Sequence, residues 1–335
     1  MSHTNPFANS EIVNEYRWLN NYAVLYQNKQ VDEEYFLDAN NLRCALTLFR
    51  SLPEFPAKLY TDGIFEEYTK MFCQNNRQKN AHRGIIDSKK HPVIPEYKEL
   101  EKSHTGFVIE GERLIKRAID DKLMLKNIIY SNKSMLEKDG YIKKAHCACY
   151  LSNEGIMSAV SSSKPVPSEI AACIMTQYSL ESVLYGEYTS LLITDNVSNP
   201  DNLGLVIRTA DACGADAVIV TGTGAAPYHK NCVRASRGAI GRLPVLHYPD
   251  GKSIVAELKS IGITVIGTSA HAESLIGHAD VPKKFAAVIG SESFGISPEI
   301  AELCDIMIKI DMARGQSSFN VAVAAGIILN RLMIR

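Results

Sequence analysis

From Leu191 to the C-terminus, short apolar runs rich in Val, Ile and Ala alternate with stretches of helical spacing. That alternation restricts what the chain can become more than any other feature. Strands are expected at Leu191–Thr194, Ala217–Val220, Val245–His247, Thr264–Gly267, Ala286–Ile289 and Met307–Ile310, and helices near 203–213, 252–260 and 298–303, with a long last one from about 318 to 333. Strands that are apolar on both faces and separated by helices build an open, mostly parallel sheet with helices on both sides. A shorter alternation occupies Gly106 to Gln177, with strands at Phe107–Ile109, Asn127–Tyr130, Cys147–Leu151 and Ile170–Met175 and helices at Glu112–Asp120 and Glu154–Val160. It predicts a second, compact α/β domain.

Ahead of both, residues 11–75 mix aromatic and charged side chains at helical spacing, as in Tyr16, Leu19, Tyr22, Ala23 and Tyr26. The stretch 75–95 loses that periodicity and ends in two prolines, which reads as a linker. The expected organisation is a mostly helical extension with a basic linker over 1–100, a small α/β domain over 101–180, and the larger α/β domain over 186–335. A chain of 335 residues is longer than one hydrophobic core usually supports.

The net charge of -1 excludes a uniform basic field, so a polyanionic partner must be met by local patches. Two runs qualify: Arg77 to His91, and His229 to Arg242, where Lys230, Arg234, Arg237 and Arg242 have no acid between them. The eight cysteines lack C-x-x-C pairs, which favours reduced, buried thiols and gives no reason to assign a metal. The longest apolar runs, such as Val321 to Leu329, are short of a membrane span, and the N-terminus has no signal-peptide pattern. A cytoplasmic protein without membrane attachment is expected.

In open α/β sheets ligands bind beyond the carboxyl ends of strands. Three such segments stand out. The first runs from Asn196 through Asn199, Asn202 and Gly204 to Arg208 and Gly214. Asn202 has the chemistry to cap the helix that follows and Gly214 to end it, while Arg208, beside Val206, Ile207 and Ala210, is either a surface residue or held for an anion. The second is Gly290-Ser291-Glu292-Ser293-Phe294-Gly295-Ile296-Ser297, a glycine-bounded loop between strand and helix. The third runs from Ile308 and Ile310 through Asp311 and Arg314 to Ser317, Ser318, Phe319 and Asn320, before a helix rich in Val and Ala.

Together, in this order and spacing, the three resemble the motifs of the SpoU (TrmH-type) branch of the SPOUT methyltransferases, and Val233-Arg234-Ala235-Ser236-Arg237-Gly238-Ala239 resembles a further family segment. The similarity covers about 186–335. Residues from Phe107 through Ala172 also look like the small ribosomal-protein-like α/β domain that precedes the catalytic domain in many relatives. The resemblance implies a trefoil-knotted catalytic domain, S-adenosylmethionine as cofactor, a homodimer, and 2'-O-methylation of a ribose in ribosomal or transfer RNA, ribosomal being favoured by the preceding domain. The alternative is an inactive RNA-binding relative of the same fold.

By position, the resemblance implies Arg208, Asn202, Ser318 and Asn320 as the catalytic cluster, and Thr268, Gly290, Glu292, Ile310 and Phe319 as the cofactor pocket. Lys230, Arg234 and Arg237 become candidate phosphate contacts. In this scheme Asn202 and Asn320 orient Arg208, and Ser318 positions an RNA phosphate. The third motif departs from the family pattern at Asp311, Arg314 and Phe319, and the first at Ser198, which alters the rim of the expected pocket.

Overall fold

The computed structural model describes residues 83–333 except 104, 122, 132–144, 146, 177, 185–187, 279–280 and 314–317. The expected helical extension, the first part of the basic run Arg77–His91, and Arg314 lie outside the described residues. The chain divides into two compact units between Gln177 and Tyr178.

The first unit holds a five-stranded mixed sheet in the order β1-β4-β3-β5-β2. Its strands are β1 (Arg83–Ile85), β2 (Gly106–Glu110), β3 (Leu125–Tyr130), β4 (Ala148–Leu151) and β5 (Glu169–Ile174), and its helices are α1 (Val93–Ser103), α2 (Glu112–Asp120) and α3 (Glu154–Val160). β1, β4 and β3 run parallel, and β5 runs antiparallel to β3 and β2. Ile86, Val93, Ile94, Tyr97, Ile129, Met157 and Ile170 form its core. Tyr97 donates its hydroxyl to Asn127 Oδ1 at 2.6 Å, so the two buried polar groups satisfy each other. Burial also pushes the Cys173 thiol up, and none of the described cysteines is in a disulfide.

This corrects the reading of 75–95 as a linker and the boundary at 100. β1 pairs with β4, and α1 begins at Val93. Pro92 and Pro95 misled because prolines punctuate loops. In the first turn of a helix, however, a backbone N–H has no intrahelical acceptor, so Pro95 removes nothing there.

The second unit is a seven-stranded, all-parallel sheet in the order β10-β12-β9-β11-β6-β7-β8. The strands are β6 (Thr189–Asp195), β7 (Ala217–Thr221), β8 (Val245–Tyr248), β9 (Thr264–Thr268), β10 (Ser274–Leu275), β11 (Lys284–Ile289) and β12 (Ile306–Lys309). The helices are α4 (Pro200–Cys213), α5 (Lys230–Ser236), α6 (Gly251–Ser260), α7 (Pro298–Ala301) and α8 (Val321–Met333). Every residue of β6 is buried, as the apolar run required for a central strand. Leu180 and Val183 pack into this unit's core with Leu191, Ile219, Val265 and Val288, so it starts ahead of residue 186.

All the strands expected here form, each within two residues of its expected ends. Missing from the sequence reading were α5 and β10. α5 is only seven residues long, and β10 two, too short for either period to register. The chain builds β7 and β8 on one side of β6 and β9 and β11 on the other. The carboxyl ends of β6 and β11 therefore flank the point where the strand order reverses, the crevice where ligands of such sheets bind.

Candidate functional site

Asp195 closes β6 with 2% of its surface exposed. Its Oδ1 accepts from Asn196 Nδ2 at 2.8 Å and its Oδ2 from the backbone N–H of Ser297 at 2.7 Å. One buried carboxylate thus ties the loop after β6 to the far end of the loop after β11. No residue pattern around Asp195 marked it in advance.

Asn199, not Asn202, caps α4: its side chain accepts from the N–H groups of Asp201 and Asn202, and Pro200 follows at the first helical position. Gly214 ends the helix in the left-handed conformation, as expected. Because Asn199 serves the helix end, the Asn202 side chain is available. It donates through Nδ2 to Glu292 Oε1 at 2.6 Å and accepts through Oδ1 from Asn320 Nδ2 at 3.2 Å. Asn320 Oδ1 in turn accepts from Ala322 N at 2.9 Å, fixing Asn320 at the start of α8. All three segments singled out in the sequence therefore meet in one hydrogen-bonded chain, Glu292 to Asn202 to Asn320, which is open to solvent.

Arg208 is exposed on α4, six residues and about 9 Å along the helix axis from Asn202. The expectation that Asn202 and Asn320 orient it is not met within this chain, since they bond each other and Glu292. Among the described residues nothing pairs with Arg208. Ser318 is also exposed.

Thr268 ends β9 and donates its hydroxyl to the Val288 carbonyl at 2.8 Å, locking the ends of β9 and β11 together. Gly290 follows β11, and a Cβ there would lie 1.9 Å from the Gly295 carbonyl carbon. The loop folds back on itself through Ser291 N to Gly295 O (3.0 Å) and Gly295 N to Ser291 O (2.9 Å), and only a residue without a side chain leaves room for that return. Ile310 is half-buried just past β12, and Phe319 stands exposed before Asn320. Thr268, Gly290 and Ile310 thus sit at the carboxyl ends of three neighbouring strands, the edge at which sheets of this kind bind ligands. A half-buried apolar Ile310 and a close-turning glycine loop fit an adenosine-bearing cofactor.

α5 lies against α4. The approach is close because Gly204 has no side chain: a Cβ there would be 2.4 Å from the Cys232 carbonyl oxygen. The basic run that lacks acids in sequence finds them across this contact. Arg234 pairs with Asp201 at 3.1 Å and Arg242 with Asp211, both on α4. Lys230 and Arg237 point into solvent.

The SpoU rRNA Methylase family model matches residues 189–330, the whole of this site. Over 253 residues the chain is 30% identical to the 23S rRNA (guanosine(2553)-2'-O)-methyltransferase RlmP of Bacillus subtilis (strain 168), covering 74% of this chain and 98% of that one. The chain belongs to the SpoU rRNA methylase family. Another relative, the 23S rRNA (guanosine-2'-O-)-methyltransferase RlmB of Vibrio vulnificus (strain CMCP6), is 32% identical over 256 residues, covering 75% of this SpoU chain and 92% of its own. A solved RNA 2'-O ribose methyltransferase aligns with TM-score 0.61 and 27% identity over 74% of this chain and 98% of its own. The SpoU methyltransferase AviRb from Streptomyces viridochromogenes, in complex with AdoMet, shares the fold at TM-score 0.66 and 24% identity, over 73% of this chain and 97% of its own. In this SpoU chain the α/β class with a parallel catalytic sheet expected from the sequence is present.

Proposed function

We propose that this chain transfers the methyl group of S-adenosylmethionine to the 2'-hydroxyl of a ribose in ribosomal RNA. The observation that carries the reading is the Glu292–Asn202–Asn320 chain, which joins all three family motifs at the strand ends where a cofactor of this kind fits. When bound, the cofactor supplies an electrophilic methyl on a sulfonium. Backbone groups beyond β9, β11 and β12 hold it, with Thr268, Gly290 and Ile310 shaping the pocket and Phe319 at its rim.

A neutral ribose hydroxyl is a poor nucleophile, so its developing negative charge needs a nearby cation or its proton a nearby acceptor. Arg208 is the cation. An arginine guanidinium is a fixed planar charge and a poor base, so it stabilises the developing charge while the hydroxyl proton passes to water. Ser318 positions an RNA phosphate. Asn202, itself held by Asn320, holds the Glu292 side chain in place.

The homodimer belongs to the same proposal. Leu205 on α4 and Val323 on α8 are exposed apolar side chains on two helices that pack together, and Arg208 is offered outward beside them. A second copy would cover the first two and receive the third. The trefoil knot is supported by the path of the chain, which leaves β11, crosses to β12 two strands away, and returns as α8 against α4 and β11. Lys230 and Arg237 supply phosphate contacts that are independent of sequence.

The test is transfer of labelled methyl to 23S rRNA transcribed without modification, followed by nuclease digestion. A labelled 2'-O-methylnucleoside is the expected product. Label in a base, or none in RNA despite cofactor binding, sinks the proposal.

A further inference from the structure

Phe294 is 93% exposed, whereas Phe285 and Phe107 are buried to 0% and 3%. A phenyl ring left in water forgoes the burial that other Phe side chains take. Nor is it on a loose tip. Ser291 and Gly295 exchange two backbone hydrogen bonds around it, its own N–H donates to Ser291 Oγ at 3.2 Å, and Asp195 anchors the end of the loop through Ser297. The ring is held out on a braced support, so binding to it requires little further ordering.

Its neighbours point to the occupant. Two residues before it, Glu292 bonds Asn202; beyond Asn202, Asn320 follows Phe319, itself 41% exposed. Next to Asn202, Asp201 bonds Arg234 of α5, a helix with two cations and no acid, capped by a third cation, Arg237. An outward π-face joined through Glu292, Asn202 and Asp201 to a helix that carries cations combines the two elements by which proteins hold single-stranded nucleic acid, a ring for a base and positive charge for the backbone. RNA read outside a duplex presents unstacked bases to such rings.

We propose that Phe294 is a stacking platform for a base of the target strand, at or next to the nucleotide whose ribose is modified. The inference rests on the reading of this chain as an RNA ribose methyltransferase. Stacking fixes the base, and through it the sugar, relative to Glu292 and Asn202. Phe294 is thus a substrate-binding residue of the described site, and the preference it gives is for unpaired over duplex RNA.

The experiment uses the full chain with Phe294→Ala, Phe294→Leu and Phe294→Tyr, measuring methyl transfer to unmodified 23S rRNA and affinity for S-adenosylmethionine separately. Phe294→Ala is expected to raise KM for the RNA by about 5- to 150-fold, the range one base–aromatic stack is worth, with cofactor affinity unchanged. Tyr should restore it and Leu should not, because Leu keeps apolar volume without a π-face. A second arm places a reporter at the position, Phe294→Trp, with the chain's one tryptophan removed as Trp18→Phe. A ten-nucleotide single-stranded RNA should quench its emission, and an abasic strand of the same length should not. If wild-type protein methylates nothing, the parent reading fails while the quenching arm still decides the stack. Unchanged KM in Phe294→Ala, full rescue by Leu, equal quenching by the abasic strand, or loss of a dimer with RNA affinity intact would each overturn the inference, the last assigning the ring to a second copy.

Discussion

The side-chain amide of Asn202 donates to the carboxylate of Glu292 at 2.6 Å, across 90 positions of sequence. The bond joins the first turn of α4 to the loop after β11, so two segments with no local reason to associate become one surface. The same asparagine receives Asn320, so removing it breaks both links at once.

Asn202→Ala should therefore cost about 100-fold in single-turnover methyl transfer, the scale of a misplacement of about 1 Å in a reacting group, with a melting temperature near that of the wild type. Glu292→Gln keeps the shape and tests the charge. Should Asn202→Ala lose its activity only in proportion to lost folded protein, the positioning role is wrong.

Arg208→Ala is expected to lower transfer by about 100- to 1,000-fold, the usual effect of removing a transition-state charge donor, with cofactor binding measured by calorimetry unchanged. Arg208→Lys should not restore it, since a point charge does not reproduce the planar fork.

Mixing Arg208→Ala with Glu292→Gln protein tests whether the site is shared between copies. In a two-fold dimer with the arginine supplied across the interface, each mixed dimer carries one intact site and one doubly altered one. Random exchange then recovers about a quarter of wild-type activity. Sites complete within one chain recover none.

At Gly290 even a methyl group meets the Gly295 backbone at 1.9 Å, so Gly290→Ala must open the loop. The expected cost is about 1–3 kcal/mol of stability, the usual range for overpacking, together with weakened affinity for S-adenosylmethionine. Thermal melting and equilibrium binding separate the two. Affinity at the wild-type level would show that the loop conformation does not hold the cofactor.

Asp305 offers a pH test away from the site. Partial burial opposes its ionisation, but the Lys259 ammonium at 2.8 Å and the Val265 N–H at 2.8 Å overcome this and hold its carboxyl below the ordinary range. A lowered pKa in the folded state contributes stability above the unfolded value of about 4, which is lost as pH falls through the folded value. Asp305→Asn should thus be less stable than wild type at pH 7, by about 0.5–1 kcal/mol given the exposure of the pair, and the gap should close as pH falls below the ordinary carboxylate range.

The sequence by itself determined the order and kind of almost every element of the second unit, because burial on both faces of a parallel strand and on one stripe of a helix leaves local periods of two and 3.6 residues. It also located the three loops, since the carboxyl ends of strands are where such sheets bind ligands. Only the tertiary structure decided which side chains those loops bring together. Asn199 and Asn202 carry the same chemistry three residues apart, and geometry alone made one a helix cap and the other a partner of Glu292. Asp195 became a tie between two loops, and Arg234 and Arg242 found Asp201 and Asp211, through packing that no local pattern encodes. Hydrogen bonds and ion pairs between distant residues leave no period in the sequence; they exist only where the sheet order sets two strand ends side by side.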